Sequence, residues 1–365
     1  MSLIHEIALT SINGIGDITA KILLNYCESA ENIFNTPKQL LIKIPGIGSK
    51  IADAIKQKKN FKEEEKQIQC IEKNQINPIF FTNPAYPKRL KHCLDAPIML
   101  YSKGSANLNA SKIISIVGTR NATESGKQAC NNLINDLKNW GNLLIVSGLA
   151  YGIDIHTHKL CLINNIPTVG VLAHGLDRIY PPQHTNIGEE MITQNGGGLL
   201  TEFQYGNKPE REYFPKRNRI IAGIADATIV IEAGEKGGAL ITADLANGYN
   251  RDVFAFPGRY NDDYSKGCHQ LIQANKAALI TKASDIAYFL GWETEHKFPE
   301  QLSLSLNLSK EEEFILAIIK NKPLISIDEL AHISKYTLSK IAPILLELEI
   351  RGVIQNRPGK IYQTN

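Results

Sequence analysis

The sequence predicts an α/β protein whose central sheet is doubly wound and mostly parallel, with a smaller domain at each end of the chain. Seven short apolar runs alternate with helical stretches from Lys112 to residue 291, the order expected of successive βαβ units. A Gly-Ile-Gly pattern occurs twice before that region, and three helix-like stretches follow it after residue 309. We therefore expect a Rossmann-like domain, flanked by a helix-hairpin-helix (SAM-like) domain and a winged helix.

Length and composition indicate a globular protein of several domains. The chain has 365 residues, of which 43% are hydrophobic and 21% charged. Six scattered cysteines without a CxxC pattern favour reduced thiols over disulfides or zinc. No signal peptide or run of the ~20 apolar residues that span a membrane is recognisable. We expect a cytoplasmic protein. Its net charge of 40 − 37 = +3 means that any polyanion site must be a local concentration of cations.

Residues 1–75 are predicted to form the helix-hairpin-helix domain. The stretches Ile12–Leu24 and Ile44–Ile55 both read apolar-x-Gly-Ile-Gly and continue with helical periodicity. Glycines permit the tight turn of such a hairpin, and the free N–H groups of the next helix suit a phosphate. Roles in DNA contact, protein contact or structure alone stay open. Residues 76–111, with prolines every few positions, are predicted to be a connector.

The Rossmann-like domain is predicted over residues 112–291. Its apolar runs, from IISIVG at residue 113 to AALIT at residue 277, are continuous, as in strands buried on both faces of a parallel sheet. In such sheets, ligands bind outside the carboxyl ends of the strands. The intervening helices are expected to begin at Glu124, Tyr151, Thr185, Phe214, Ala239 and Lys266.

Residues 292–308 are predicted to be a polar linker and residues 309–365 a winged helix. Helices are expected at Glu311–Lys320, Ser326–Ile333 and Thr337–Arg351, followed by a hairpin. The third helix holds Lys340 and Arg351 against two glutamates, a weak match for a helix that reads the major groove. DNA binding, protein contact and a regulatory role all remain open for this domain.

The loop after the first strand of the sheet indicates phosphate binding. Gly118 lets the backbone approach a ligand, Arg120 projects from the turn, and Thr123 or Ser125 can cap a helix whose N-terminus favours anions. The alternative is a tight turn with an exposed arginine. Because the loop is not GxGxxG and no acidic residue follows at the ribose-binding distance, a nicotinamide dinucleotide is not expected. No cofactor is predicted.

The loops after the second and third strands give weaker signals. Small residues, Ser147 and Gly148, line the end of the second strand, and His156 and His158 follow too close together to ligate a metal from one helical face. A hydrogen bond between Asp154 and His158, four residues apart, is the plainer interpretation. The histidines around the Tyr-Pro-Pro turn lack a nucleophile partner, so no catalytic role is expected for them.

Cations and aromatic residues concentrate just before the fifth strand. Cations track a phosphate backbone while aromatic rings stack on bases, so the combination is typical of a single-strand binder. The alternative is a solvated helix start with ion pairs to Glu210 and Glu212. Cations at a helix N-terminus cost stability unless an anion bridges them. Gly237 and Gly238 then provide another turn suited to an anion. The members of the cluster are Lys208, Arg211, Tyr213, Phe214, Lys216, Arg217 and Arg219.

The motifs VGTRNATESGK, SGLAYGIDIHTHK, HGLDRIYPPQH, FPKRNRIIAGIADATIVIEA, GGALITADLA and VFAFPG resemble the DNA-processing protein A family, also called Smf, in order and spacing. The resemblance covers the whole chain. It implies a non-catalytic protein of natural transformation that binds and protects single-stranded DNA, loads the RecA recombinase and dimerises through its Rossmann-like domain.

The same resemblance implies which residues contact DNA. The Gly118-Thr119-Arg120 turn should hold a phosphate, and Arg211 and Phe214 should contact the strand. Arg217 and Arg219 either contact it or brace the domain. A serine-rich turn is expected where the chain has Gly237 and Ala239, which leaves only backbone contacts there. The full predicted set is Gly118, Thr119, Arg120, Lys127, Ser147, Gly148, Arg211, Phe214, Lys216, Arg217, Asn218, Arg219, Gly237 and Gly238.

A second resemblance, to cytokinin-activating phosphoribohydrolases, implies a nucleotide-binding or nucleotide-hydrolysing enzyme instead. Those enzymes carry a PGGxGTxxE loop with a catalytic glutamate, whereas this chain reads EAGEKGGALITAD in the corresponding region. Asp244 is the nearest acid and a poor substitute for that glutamate. Because general acid–base chemistry needs a positioned titratable group, we expect a binding protein and not an enzyme.

Overall fold

The computed structural model describes residues 3–292, 308–322, 324–357 and 360–364. The chain divides into two compact units, one within residues 1–294 and one within residues 295–365. In the part of the chain so described, no helix combines the length and apolar character that crossing a bilayer requires.

The first unit begins with a helical domain that contains both predicted hairpins. Each Gly-Ile-Gly turn leads directly into a helix, and Gly14 and Gly46 adopt φ values of +87° and +81°, which favour glycine. Leu23, Ile33 and Ile55 belong to its buried core. The predicted pair of helix-hairpin-helix units is confirmed. Its helices are α1 (Leu3–Ser11), α2 (Asp17–Cys27), α3 (Ala30–Asn35), α4 (Lys38–Leu41), α5 (Ser49–Gln57) and α6 (Lys62–Lys73).

The sheet domain follows, with nine strands. All seven predicted strands are present, and they pair in parallel with one another. The connections between them are helical, and all but the last of these strands are mostly buried, as expected of a parallel sheet covered on both faces. The elements are β1 (Asn77–Phe80), α7 (Lys88–Lys91), β2 (Met99–Gly104), β3 (Lys112–Val117), α8 (Glu124–Leu137), β4 (Leu143–Ser147), α9 (Ile153–Ile163), β5 (Thr168–Val171), a 3₁₀ turn (Pro182–His184), α10 (Thr185–Thr193), β6 (Gly198–Thr201), α11 (Tyr213–Ile224), β7 (Ala227–Val230), α12 (Gly238–Gly248), β8 (Asp252–Ala255), α13 (Lys266–Gln273), β9 (Ala278–Leu279) and α14 (Ala283–Leu290).

The segment 76–111 is more than the predicted connector, because it adds β1 and β2 to the sheet. β2 pairs antiparallel with β6, and β1 pairs antiparallel with β2 as the outermost strand. Pro78 is compatible with β1 because an edge strand has no second neighbour that needs its missing N–H group. The prolines of this segment therefore lie in the outermost strand or between the two strands, and they are compatible with both strands.

The strand order β1-β2-β6-β5-β4-β3-β7-β8-β9 places the topological switch point between β3 and β7. From β3 the chain builds outward to β6 on one side, and it then returns to pair β7 with the opposite edge of β3. Their register aligns Val117 with Val230 at the carboxyl ends. Loops leaving these two ends diverge and open a crevice, which is where doubly wound sheets bind ligands.

The helical domain contacts the sheet domain mainly through the first hairpin. Asp17, the first residue of α2, accepts hydrogen bonds from the backbone N–H of Ile98 at 3.0 Å and from Arg219 Nη2 at 3.2 Å. Gln67 of α6 donates to the carbonyl of Tyr205 at 3.1 Å. The first residue of α2 is thus engaged with the sheet domain, and the first hairpin helps to join the two domains.

The second unit is a winged helix, as predicted. Ser309 and Glu312 form a capping box on the first helix, and Ile315, Ile319 and Leu345 pack in a core of their own. Lys340 forms an ion pair with Glu311. Of the predicted linker, residues 293–307 lie outside the described residues. The elements are α15 (Lys310–Asn321), β10 (Ile325–Ser326), α16 (Ile327–Ser334), α17 (Leu338–Ile350), β11 (Ile354–Arg357) and β12 (Ile361–Thr364), with strand order β10-β12-β11.

Candidate nucleic-acid interface

A groove of about 760 Å³ opens at the carboxyl ends of β3 and β7. Its walls are the turn after β3, the first turns of α11, and the loop that leads from β7 into α12. It brings together nine of the fourteen residues predicted from the sequence. They are Gly118, Thr119, Arg120, Arg211, Phe214, Arg217, Asn218, Gly237 and Gly238.

The turn after β3 holds Arg120 at the groove surface. Thr119 donates its N–H to the carbonyl of Glu232 at 2.8 Å and accepts the N–H of Ile153 at 3.2 Å, so loops from three strands are bonded together. A Cβ atom on Gly118 would lie 2.5 Å from Ile153, which is why this position needs glycine. Arg120 is exposed, and within residues 3–292 it forms no ion pair. Its guanidinium carbon lies 5.7 Å from the centre of the Phe214 ring.

The N-terminus of α8, where such folds often bind phosphate, is filled by a carboxylate of the protein itself. Thr123 caps the helix by accepting the N–H of Gly126 at 3.1 Å. Buried Glu232 accepts the Thr123 N–H at 3.0 Å and also its hydroxyl. A Cβ on Gly126 would lie 2.1 Å from the Glu232 carboxylate. The anion expected at this helix end is therefore internal, and a ligand phosphate has to bind elsewhere.

The loop that leads into α9 is held by Asp154, which lies in the first turn of that helix. Its carboxylate accepts the N–H groups of Gly148 at 3.2 Å and Ala150 at 3.4 Å. Burial raises the pKa of Asp154, while the nearby Arg217 guanidinium opposes that rise. Arg217 is itself buried and donates to the carbonyls of Gly148, at 2.6 Å, and Val171. Burial lowers the pKa of Arg217 to about 10, so it stays protonated at neutral pH. The opposite charges of Asp154 and Arg217 thus offset each other at the base of the groove.

The predicted hydrogen bond between Asp154 and His158 does not form within the described part of the chain, where both side chains have other partners. His158 is fully buried and its Nδ1 lies 2.8 Å from Thr168 Oγ1 of β5, while Asp154 turns toward the loop. Burial lowers the pKa of His158 to about 3, so it is neutral in the folded protein. Within the described residues, no group of three His, Cys, Asp or Glu side chains is placed to hold a metal.

The N-terminus of α12, by contrast, is open. Gly237 precedes it, no side chain caps it, and its first turn contains no acidic residue. A Cβ on Gly237 would meet nothing within 4 Å, so the glycine leaves free space at the helix end. Asn218 Nδ2 donates to the carbonyl of Gly238 at 3.3 Å and ties α11 to this turn. Free N–H groups and the positive end of the helix dipole make the start of α12 a groove-lining helix end that can receive an anion.

Five predicted residues lie outside the groove. Ser147 is buried and donates to the carbonyl of Ile116 at 2.7 Å, and the carbonyl of Gly148 receives Arg217. Arg219 is buried and bonds Glu202 at 2.5 Å and Asp17 at 3.2 Å. The polar groups of these three are engaged inside the protein, so their predicted contact with DNA gains no support from the groove. Two further residues are half-exposed and ion-paired, Lys127 with Glu124 and Lys216 with Glu202.

The sequence interpretation missed several groove residues. Lys236 lies in the loop after β7, is exposed, and forms no ion pair in the described part of the chain. Tyr180 lies in the loop after β5, and Tyr264 accepts a hydrogen bond from Asn121 at 3.1 Å. The strand-end rule, applied to these loops, would have placed Lys236 and Tyr180 in the site. Glu232 carries no local signal, since its partner Thr123 is distant in sequence.

Comparison with known proteins gives consistent matches along the chain. A model of the DNA recombination-mediator protein A family matches residues 77–291, a DprA winged-helix model matches residues 299–360, and a SAM-like helix-hairpin-helix tandem matches residues 6–58. Protein Smf of a Synechocystis species is 32% identical, over 98% of each chain. DNA processing protein DprA of Bacillus subtilis is 41% identical, over 58% of this chain and 70% of its own.

Solved structures agree. DNA processing protein A from Streptococcus pneumoniae superposes with a TM-score of 0.68 and 31% identity, over 78% of this chain and 97% of its own. DNA processing protein A from Helicobacter pylori, whose single-stranded DNA binding mode has been described, gives a TM-score of 0.52 and 28% identity, over 59% and 95%. Since the family model covers more than half of the chain, the protein belongs to the DNA recombination-mediator protein A family, whose members are named DprA or Smf.

Proposed function

We propose that the groove binds single-stranded DNA and that the protein acts as a recombination mediator without catalytic activity. One observation carries the proposal. Arg120, Arg211 and Lys236 are exposed groove cations without an ion-pair partner in the described residues, and they line the same groove as the open N-terminus of α12. Cations without an internal partner, next to free backbone N–H groups, are suited to phosphates.

Single strands suit this groove better than duplexes do. Phe214 and Tyr180 line the groove beside the cations, and aromatic rings stack on bases that are not paired. In a duplex the base faces are covered, so only the phosphates would be available. The described binding of single-stranded DNA by the Helicobacter pylori relative supports the same assignment.

Asp154, which lines the groove, and Glu232, adjacent in sequence to residues that line it, are engaged inside the protein, which supports a binding protein over a nucleotide hydrolase. Glu232 is bonded to Thr123, and Asp154 faces Arg217 and two backbone N–H groups. Asp244 forms an ion pair with Lys276 at 2.8 Å and does not line the groove. General acid–base chemistry would need one of these carboxyls to be released toward a substrate.

Salt-titrated binding of a fluorescent oligo-dT tests the proposal. Arg120→Ala, Arg211→Ala and Lys236→Ala should each weaken binding by about 5- to 30-fold and reduce the salt slope by about 0.7 for each phosphate that the variant no longer neutralises. Lys127→Ala is the control, a half-exposed lysine outside the groove that pairs with Glu124, and should change affinity less than about 2-fold. A duplex of equal length should compete poorly. If all three groove variants keep wild-type affinity and slope, the assignment fails.

Two partners form part of the proposal. A second copy would bind at the sheet edge formed by β9, where Leu279 is half-exposed and Tyr288 of the neighbouring α14 is exposed. Leu279→Lys should shift the sedimentation of a dimer toward a monomer, and unchanged sedimentation contradicts this edge.

The RecA recombinase would be loaded on the bound strand, so RecA filament assembly on protected single strands should accelerate in the presence of the protein. Equal assembly rates with and without it would exclude loading.

A further inference from the structure

Tyr180 is an aromatic residue of the groove whose ring is only partly covered by contacts within the described part of the protein. Its side chain is 44% exposed although it lines the groove, and its hydroxyl forms no hydrogen bond within the described ranges. Its ring centre lies 6.0 Å from that of Phe214, with 56° between the planes. This tilted contact covers only part of the tyrosine ring, so the remaining surface faces the groove.

The segments before and after Tyr180 are anchored, so its backbone is held in place before any ligand binds. Ile179 packs closely on α10, because a Cβ on Gly188 would lie 2.4 Å from its Cδ1. After the ring, buried His184 donates from Nδ1 to the carbonyl of Leu149 at 2.9 Å, and Gln183 accepts the Tyr151 hydroxyl at 2.9 Å. A loop that is already anchored loses little conformational entropy on binding.

The groups beside Tyr180 indicate what its free face would meet. Arg120 lies 5.7 Å from the Phe214 ring, and Phe214 lies between Arg120 and Tyr180 in the succession of contacts. The cation is suited to a phosphate, and the two rings are suited to the bases attached to neighbouring sugars.

We propose that Tyr180 stacks on an unpaired base of the bound strand and is a second base-contacting residue of the groove beside Phe214. The proposal rests on the proposed function, since it requires DNA in the groove. The proposal predicts that Tyr180 contributes to binding affinity through a base of the strand and not through the charge of its phosphates.

An oligo-dT and an oligonucleotide of equal length with abasic sugars separate these two contributions. Tyr180→Ala and Tyr180→Leu should weaken binding of oligo-dT by about 5- to 30-fold, with an unchanged salt slope. Both should change binding of the abasic strand by less than about 2-fold, because the ring has no base to stack on. Tyr180→Phe keeps the ring face and should bind oligo-dT like the wild type. Tyr26→Ala, an exposed tyrosine on α2, is the matched control.

The outcomes separate the two proposals. If Tyr180→Ala and Tyr180→Leu lose affinity equally for both oligonucleotides, or for neither, Tyr180 does not stack on a base. If Arg120→Ala also binds both strands like the wild type, the groove itself is misassigned. Photo-crosslinking of a 5-iodouracil strand provides a measurement on the unaltered protein. A crosslink in the peptide that contains Tyr180 is expected, and its absence with crosslinks elsewhere overturns the proposal.

Discussion

Arg120 and Arg217 line the same groove but occupy opposite environments. Arg120 is exposed and has no ion-pair partner in the described residues, whereas Arg217 is buried and donates to two carbonyls beside Asp154. Arg211 and Arg219 differ in the same way, since Arg219 bonds Glu202 and Asp17. Cations that look alike in sequence therefore have two roles. Those compensated inside the protein build the groove, and those left uncompensated are available to a polyanion.

The buried member of the first pair should dominate stability. Arg217→Met leaves two buried carbonyls without a donor and Asp154 without its compensating charge. The free energy of unfolding, measured in urea, should fall by about 3 kcal/mol or more. Arg120→Ala is the control and should change it by no more than about 0.5 kcal/mol. Equal stability of the two variants would remove the distinction between the two roles.

Acid should destabilise the folded protein through the buried side chain of His158. His158 has a pKa of about 3 in the folded protein and an ordinary value of 6.5, so the unfolded chain binds its proton first as pH falls. Its contribution is complete above pH 6.5 and should decrease by about 3 kcal/mol between pH 7 and pH 4. His158→Asn retains a polar partner for Thr168 and should flatten this part of the pH profile. An identical slope in the variant would rule out His158 as the titrating group.

The contact between Arg219 and Asp17 should couple the helical domain to the sheet domain. A double-mutant cycle of Asp17→Asn and Arg219→Met should give a coupling of about 1 kcal/mol or more in the free energy of unfolding. The salt slope of oligo-dT binding should not change, because neither residue lines the groove. Additive effects would contradict the coupling, and a shallower salt slope for Arg219→Met would return Arg219 to the DNA-contacting set.

Lys216 should show the smallest effect. Its ammonium group lies 3.0 Å from Glu202, but the side chain is 49% exposed. Lys216→Ala should therefore alter stability by less than about 1 kcal/mol and oligo-dT affinity by less than about 2-fold. A reduction of its salt slope comparable to that of Arg120→Ala would show that the pair with Glu202 opens to admit DNA.

Much of the fold follows from local signals. The seven parallel strands show as continuous apolar runs, and α8, α10 and α13 begin at the expected residues Glu124, Thr185 and Lys266. The hairpin turns follow from Gly14 and Gly46 because left-handed backbone favours glycine. The switch-point rule likewise places Gly118 and Arg120 in the groove, since it depends only on strand order and direction.

The remainder depends on contacts between residues distant in sequence. Nothing near Arg219 indicates that Asp17, roughly two hundred residues earlier, bonds its guanidinium. Nor does the motif around Arg217 show that its neighbours are the carbonyls of two strand ends. β1 escapes prediction because Pro78 argues against a strand unless the strand is known to lie at an edge. Local patterns identify which side chains are cationic, and only the tertiary structure decides which remain uncompensated.

The Glu232 carboxylate at the start of α8 also restricts which anions the protein can accept. A free phosphate could use that helix end only by displacing a group that the fold holds there at an effective concentration of about millimolar or more. A mononucleotide, with few other contacts available, would compete poorly. A strand that engages Arg120, Arg211 and the start of α12 together has no need of that position. The groove would then select its ligand by the number of phosphates that bind at once, and it would favour polymers over single nucleotides.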